Sequence, residues 1–282
     1  MSNTNIIIPE IYSQMLTEKV KGIVRIANMA QDLGGLDNFA EEGDSVTFPM
    51  FKALSDAELL TRGGTITTEE LKQTSSKKEV KHYAKGVSIL DIDALEGHGD
   101  FMQNAIEQQA RIFAKARDKE MVGDIDTNAI LKSTTASATA ITEVELQGAL
   151  QKFGDEQDND TFAGIVINSL LLPSFYAMSG FVDGTKTYAK EGNGEIANGV
   201  VGFNRGGIPV ILSDSNTYDS VKSECKSYII KKGALGIKDK RGLLPEVERV
   251  ASKKQNNVFA DEMFACGLIQ KDGVCIVRKT IA

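Results

Sequence analysis

The chain is short of the residues that most catalytic and metal chemistry requires. Its 282 residues include two histidines, His82 and His98, and three cysteines, Cys225, Cys266 and Cys275. The histidines lie far from any paired cysteine, and the cysteines show no CxxC spacing, so no metal or cofactor site is legible. No serine stands in a GxSxG elbow and no cysteine has an activating neighbourhood, which leaves no catalytic candidate for nucleophilic chemistry. No stretch approaches about 18 consecutive apolar residues, so no membrane span is expected. The opening MSNTNIIIPEIYSQ lacks a basic start, a long apolar run and a small-residue cleavage site, so it is not read as a secretory signal. With an odd cysteine count, that points to synthesis in a reducing cytoplasm. Nor is positive charge in excess. The 39 acidic against 32 basic residues leave a net charge of −7, which argues against a surface built mainly to grip phosphate backbones.

What the chain does have is apolar mass and a changing period. At 41% hydrophobic and 25% charged it is globular, with enough core for one large or two ordinary domains. After Pro9, the residues Ile11, Met15, Val20, Ile23, Ala27 and Ala30 recur at helical spacings and predict a helix ending near Leu33-Gly34-Gly35. Between Asp44 and Leu54, Val46, Phe48 and Met50 alternate with Thr47, Pro49 and Phe51, which predicts a strand with Pro49 at an edge. KHYAKGVSILDID, from Lys81, reads as a second strand that pairs with it.

A long helix is predicted from Asp100 to Val122, with Asp100 and Gln103 as a capping pair and Gly123 as its stop. Its inner side carries Phe101, Met102, Ala105, Ile106, Ile112, Phe113 and Ala116, and its outer side Glu107, Arg111, Lys115 and Asp118. A helix over Thr142–Asp155, the buried strand FAGIVINS, the helical LLPSFYAMSG, a glycine-rich loop from Gly180 to Gly207 and the strand IPVILSD make a central α+β or α/β subdomain. SYIIKKGALGI, PEVERVAS, VFADEMFACGLIQ and VCIVRKTI read as closing strands. Lys238–Arg241 reads as an exposed loop and Asp272-Gly273 as a tight hairpin turn.

Three motifs imitate functional sites. Asp91 and Asp93 would share a face on a strand, but the polar run that follows makes them an approach to a helix. Gly192-Asn193-Gly194 resembles part of a dinucleotide fingerprint, without the preceding buried strand or the following helix. Asp124, Asp126 and Asn128 begin like a calcium loop, but Ala129 stands where glycine is needed, so they are read as a helix-exit turn.

The stretch TRGGTITTEELKQTSSKKEVKH, Thr61 to His82, poses a different problem. Its only large apolar residues are Ile66, Leu71 and Val80. Ordering 22 residues costs roughly 20–40 kcal/mol of backbone entropy, while burying three such side chains returns about 5–9 kcal/mol. Such a ribbon cannot hold itself in place. Its mixed charges, with Glu69, Glu70 and Glu79 among Lys72, Lys77, Lys78, Lys81 and Lys85, suit a protein partner better than nucleic acid.

Taken in order, GDSVTFPMFKAL and KHYAKGVSI, the helix DFMQNAIEQQARIFAKARDKEMVGD, GGIPVILSD and VFADEMFACGLIQKDGVCIVRK resemble the major capsid protein of tailed bacteriophages, the Hong Kong 97 fold. The resemblance implies an α+β fold with an N-terminal arm (1–42), an extended β-hairpin E-loop (43–90), a P-domain with a long spine helix (91–128 and 238–267) and a central A-domain sheet flanked by helices (129–237 and 268–282). It implies self-assembly of hexamers and pentamers into an icosahedral virion head around double-stranded DNA, built in the host cytoplasm. Scaffolding, portal and decoration proteins are the implied partners. Because the sequence begins almost directly with its arm, any scaffold is expected to be a separate protein. The E-loop would drape over the adjoining subunit, with Arg62, Glu69, Glu70, Lys72, Lys77 and Lys78 as intersubunit contacts. The alternatives are an encapsulin-type compartment shell and, from another class, an α+β enzyme with a dimerisation arm.

Overall fold

The computed structural model describes residues 9–34, 45–51, 57, 59–60, 62–66, 68–71, 73–96, 101–182, 200–204 and 207–281. Helix α1 (Pro9–Ile23) buries Tyr12, Leu16 and Val20 at four-residue intervals, and a turn of 3-10 helix (Ala27–Met29) leads to strand β1 (Gln31–Asp32). A ribbon of β2 (Ser45–Phe51) and β3 (Gln73–Glu79) follows, then β4 (Lys81–Leu90), α2 (Asp91–Glu96) and α3 (Phe101–Asn128). The centre of the chain supplies β5 (Leu131–Thr134), α4 (Glu143–Leu150), β6 (Phe162–Ile167), α5 (Leu172–Ala177), α6 (Ser179–Val182), β7 (Val200–Phe203) and β8 (Pro209–Leu212). The remainder is β9 (Tyr218–Asp219), β10 (Glu224–Cys225), β11 (Ser227–Lys231), β12 (Leu235–Val250), β13 (Gln255–Leu268) and β14 (Val274–Arg278).

Two sheets organise the molecule. One has four strands in the order β1-β12-β13-β4, and the other has six in the order β5-β14-β11-β6-β8-β7. Helix α3, whose 28 residues span about 42 Å, packs against β13, β4 and α1. The six-stranded sheet is covered on both faces, which is why its inner strands β14, β11, β6 and β8 are mostly apolar. Tyr228, Ile230 and Val166 face a core shared with α1 and α3, through Leu16, Phe113, Met121 and Ile125. Their neighbours Ile229, Ile165 and Ile167 face a second core with Phe153, Phe175 and Phe181.

The predicted α+β class, spine helix and apolar strands are present. Several local expectations give way to tertiary contacts. The partner of β2 is the polar run Gln73–Glu79, with Val46 opposite Lys78 and Phe48 opposite Ser76. KHYAKGVSIL instead pairs with β13, from Leu90 opposite Gln255 to Lys81 opposite Phe264. Ladder hydrogen bonds need no apolar side chain, whereas Tyr83, Val87 and Ile89 alternate on one face and are drawn into the larger sheet.

Helix α1 stops at Ile23, ten residues before Leu33, because Asp118 on α3 collects the N–H groups of Arg25, Ile26 and Ala27 at 3.2, 3.0 and 2.9 Å. Asp118 is therefore buried, not on the outer face, while Ile112, expected inside, is exposed. The end predicted at Gly123 is overrun as far as Asn128. The roughly 1 kcal/mol that a helical glycine costs is offset by Asp124 and Asp126, which are both tied down by lysines. These two acids accordingly lie inside the helix and not in an exit turn.

Lys238–Arg241 lies within β12, where Asp239 meets Arg117 at 3.3 Å and Arg241 meets Asp261 at 3.1 Å, so PEVERV continues that strand instead of starting another. Asp272-Gly273 joins strands of different sheets and closes no hairpin. Asp91 opens α2 and pairs with Arg249 at 2.5 Å, so it shares no strand face with Asp93. The expected glycine-rich loop contains β7. Residues 183–199, with Gly192-Asn193-Gly194, and the capping residue Asp100 lie outside the described residues, as does His98.

Candidate assembly surface

The ribbon is held at its base by its own chain. Val46 and Phe48, 2% and 0% exposed, pack on Ala265 and Ile269 with Leu33 and Val80 beside them, which contributes about 3–6 kcal/mol for the first two side chains. Lys78, opposite Val46 in the ladder, turns inward. Its Nζ donates to both carboxylate oxygens of Asp124 on α3 at 2.7 and 2.6 Å. Asp124 also accepts from the backbone N–H of Leu268 at 2.6 Å and from Asn128 Nδ2 at 2.9 Å, so one carboxylate joins ribbon, helix and sheet. Gly267 makes room for this junction, since a Cβ there would come within 2.9 Å of Lys78 Cε.

One turn earlier on α3, Glu120 accepts hydrogen bonds from Lys81 and Tyr83 of β4. Burial alone would push Glu120 up, but those two donors outweigh it and hold the carboxyl below its ordinary range. The same contact raises Lys81, and burial together with Glu120 pushes Tyr83 far above a free phenol. Arg117 donates to Glu262 at 2.9 and 3.1 Å and lies 5.2 Å from the centre of the Phe264 ring, which clamps α3 onto β13. Desolvation raises Glu262 despite this partner. A cleft of about 930 Å³ opens beside the ribbon base, lined in part by Lys77, Lys81, Thr127, Phe264, Ile269 and Lys271.

Beyond the base the described side chains are exposed. Leu59 is 98% exposed, Ile66 73%, Leu71 58% and Leu60 53%. Arg62, Glu69 and Glu70 are exposed on the same segment, Lys77 is exposed on β3, and Lys72 lies outside the described residues. The Lys78 charge is matched within its own subunit. The pair Leu59-Leu60 was not singled out from sequence, although two leucines before Gly63-Gly64 in a polar run are a visible signal. The anchoring role of Asp124 had no local signal, because its partner is 46 positions away.

A mostly polar ribbon with an apolar base and a tip bearing four uncovered aliphatic side chains is equipped for binding. Among the described residues no group of three or more histidine, cysteine, aspartate or glutamate side chains is placed to hold a metal, and no helix is long and apolar enough to cross a membrane.

The ribbon, the spine helix, the sheet it crosses and the six-stranded central sheet together are the Hong Kong 97 fold of phage capsid subunits. Among solved structures, a chain from Mycobacterium phage Che8 matches with a TM-score of 0.67 at 14% identity, covering 92% of both chains. The capsid structure of the cyanophage P-SCSP1u matches with a TM-score of 0.62 at 16% identity, over 90% of this chain and 87% of that one. In sequence the chain is 28% identical, over 279 residues, to the major capsid protein of Staphylococcus phage phiMR11, covering 98% of this chain and 94% of the relative. No family model matches the chain.

Proposed function

We propose that the chain is the major capsid protein of a tailed bacteriophage, which assembles into an icosahedral head around double-stranded DNA. The observation that carries this reading is the similarity to a phage major capsid protein from end to end of both chains, accompanied by the corresponding fold. The arm explains how assembly is driven. Burying Leu59, Leu60, Ile66 and Leu71 on a neighbouring copy would contribute about 6–12 kcal/mol per subunit. Arg62, Glu69, Glu70, Lys72 and Lys77 would set register through exposed ion pairs that are weak singly and repeated throughout a shell.

Hexamers and pentamers are the units such a subunit would form, with its 81–90 strand belonging to the P-domain and not to the E-loop. Scaffolding, portal and decoration proteins are its expected partners, the virion its destination and the host cytoplasm its place of assembly. Its role is structural, not enzymatic. The encapsulin reading shares the fold, and the phage relative, which is similar in sequence and not only in shape, favours the head.

The test is expression of the full chain, followed by sedimentation velocity and negative-stain microscopy. Closed shells or ring-shaped capsomers are expected. A subunit that remains monomeric at high concentration would overturn the reading.

A further inference from the structure

The outer stripe of α3 has no role in the arm or the core, and its charge is one-sided. The helix carries five carboxylates, and all are engaged inside the chain. Glu107 pairs with Lys19 at 2.8 Å, Asp118 with three backbone N–H groups, Glu120 with Lys81 and Tyr83, Asp124 with Lys78, and Asp126 with Lys226 at 2.6 Å. Of its four cations only Arg117 is spent in the same way. Arg111, Lys115 and Lys119 are exposed and make no hydrogen bond or ion pair to a described residue. Successive fourth positions put them on one side of the helix, with three charges over about 12 Å.

These residues form one wall of a cleft of about 530 Å³. Its other lining includes Arg25, which donates to the Leu212 carbonyl, and Ser213, Ser215 and Asn216 from the segment after β8. Asp214 is on the rim, where it accepts from the N–H of Ser169 at 2.8 Å. Asp118 is on the floor, and burial pushes its carboxyl up against the pull of its three N–H donors.

We propose that this cleft binds the sugar-phosphate backbone of nucleic acid, as the contact surface for the genome that the shell encloses. The inference rests on the capsid reading above. In a chain of net charge −7, a row of three exposed cations is not a by-product of general basicity, and the nearby Glu107 and Glu120 offset it only in part, since each is hydrogen-bonded to another lysine. The stripe also lacks what a protein partner would need: between Asn104 and Lys119 its only exposed large apolar residue is Ile112, while Asn104 and Gln108 extend it with uncharged donors. A repeating anion fits this surface better than a folded neighbour does. The arm docks at Asp124, five residues beyond Lys119 and about 140° around the axis, so nucleic acid and arm do not compete for one side of the helix.

The binding is sequence-independent and salt-sensitive. Three phosphate contacts give a slope of log K on log salt of about −2.7. The test uses the unassembled full chain and a fluorescent 30-base-pair duplex of arbitrary sequence, read by anisotropy between 50 and 200 mM salt. Arg111→Gln, Lys115→Gln and Lys119→Gln together are expected to weaken binding at least tenfold at the lowest salt and flatten the slope. The charge-preserving triple variant Arg111→Lys, Lys115→Arg, Lys119→Arg binds like the parent. Equal binding by parent and glutamine variant overturns the proposal. So does a parent that binds polyglutamate but no duplex, which would assign the cleft to an acidic polypeptide. Sedimentation of the same proteins separates the two claims. Shells without duplex binding sink the cleft and leave the capsid reading intact, whereas duplex binding lost in the glutamine variant supports the cleft even if no shell forms.

Discussion

Removing the Lys78 ammonium tests whether the ribbon is locked to its own subunit by one junction. Lys78 and Asp124 are 10% and 19% exposed and meet at 2.6 Å, and breaking a fully buried pair by deleting one partner costs about 3–5 kcal/mol. Asp124 would retain the Leu268 N–H and the Asn128 amide, so its charge is not orphaned. Partial exposure softens the loss further, which gives about 2 kcal/mol for Lys78→Ala. If the cost is confined to the ribbon, that is about a 30-fold rise in its opening equilibrium. Hydrogen exchange on the unassembled subunit reads it directly. Amides of β2 and β3 should exchange about 30-fold faster, with those of β6, β11 and β14 unchanged. Unchanged ribbon amides would refute the junction as the lock, and uniformly faster exchange would mean that ribbon and core unfold as one unit.

Asp118→Ala leaves three backbone N–H groups without their acceptor and should lower the stability of the whole subunit by about 3–5 kcal/mol in urea denaturation, with Asp118→Asn costing less. Glu120 has a folded value held below its usual 4.5, so its stabilising contribution is complete above that value and is lost as the pH falls through the folded one. Urea midpoints measured from pH 7 to pH 3 should therefore fall less steeply in Glu120→Gln than in the parent. Gly267→Ala sets a methyl group against Asp124 and Lys78 and should cost about 1–3 kcal/mol, read by the same ribbon exchange as Lys78→Ala.

Much of the architecture was legible because it follows apolar periodicity. The run FAGIVINS reads as a buried strand, and the spine helix shows part of its expected buried stripe at Ala105, Ile106 and Phe113. Places where reading failed are those where charged groups at long sequence separation decide local structure. Asp118 looks like an outer-face residue until the N–H groups more than 90 positions away turn toward it. Gly123 reads as a stop until lysines from β3 and from the chain before β11 secure the next turn. The pairing of β2 was misread for another reason: apolar content marks what packs on a core, whereas the backbone ladder that joins Gln73–Glu79 to β2 needs no apolar side chain. The exposure of the described residues between Leu59 and Leu71 agrees with the shortage of apolar residues there, but the covered base was not legible, since Val46 and Phe48 find Ala265 and Ile269 far along the chain.

The central claim is that the arm tip is covered by another copy. Its most direct test is sedimentation velocity on a chain carrying Leu59→Ser, Leu60→Ser, Ile66→Ser and Leu71→Ser, under conditions in which the parent forms particles. The account predicts a subunit with the parent's circular dichroism and melting temperature that no longer assembles. Particles in the parent's yield, or a subunit that unfolds, would contradict it.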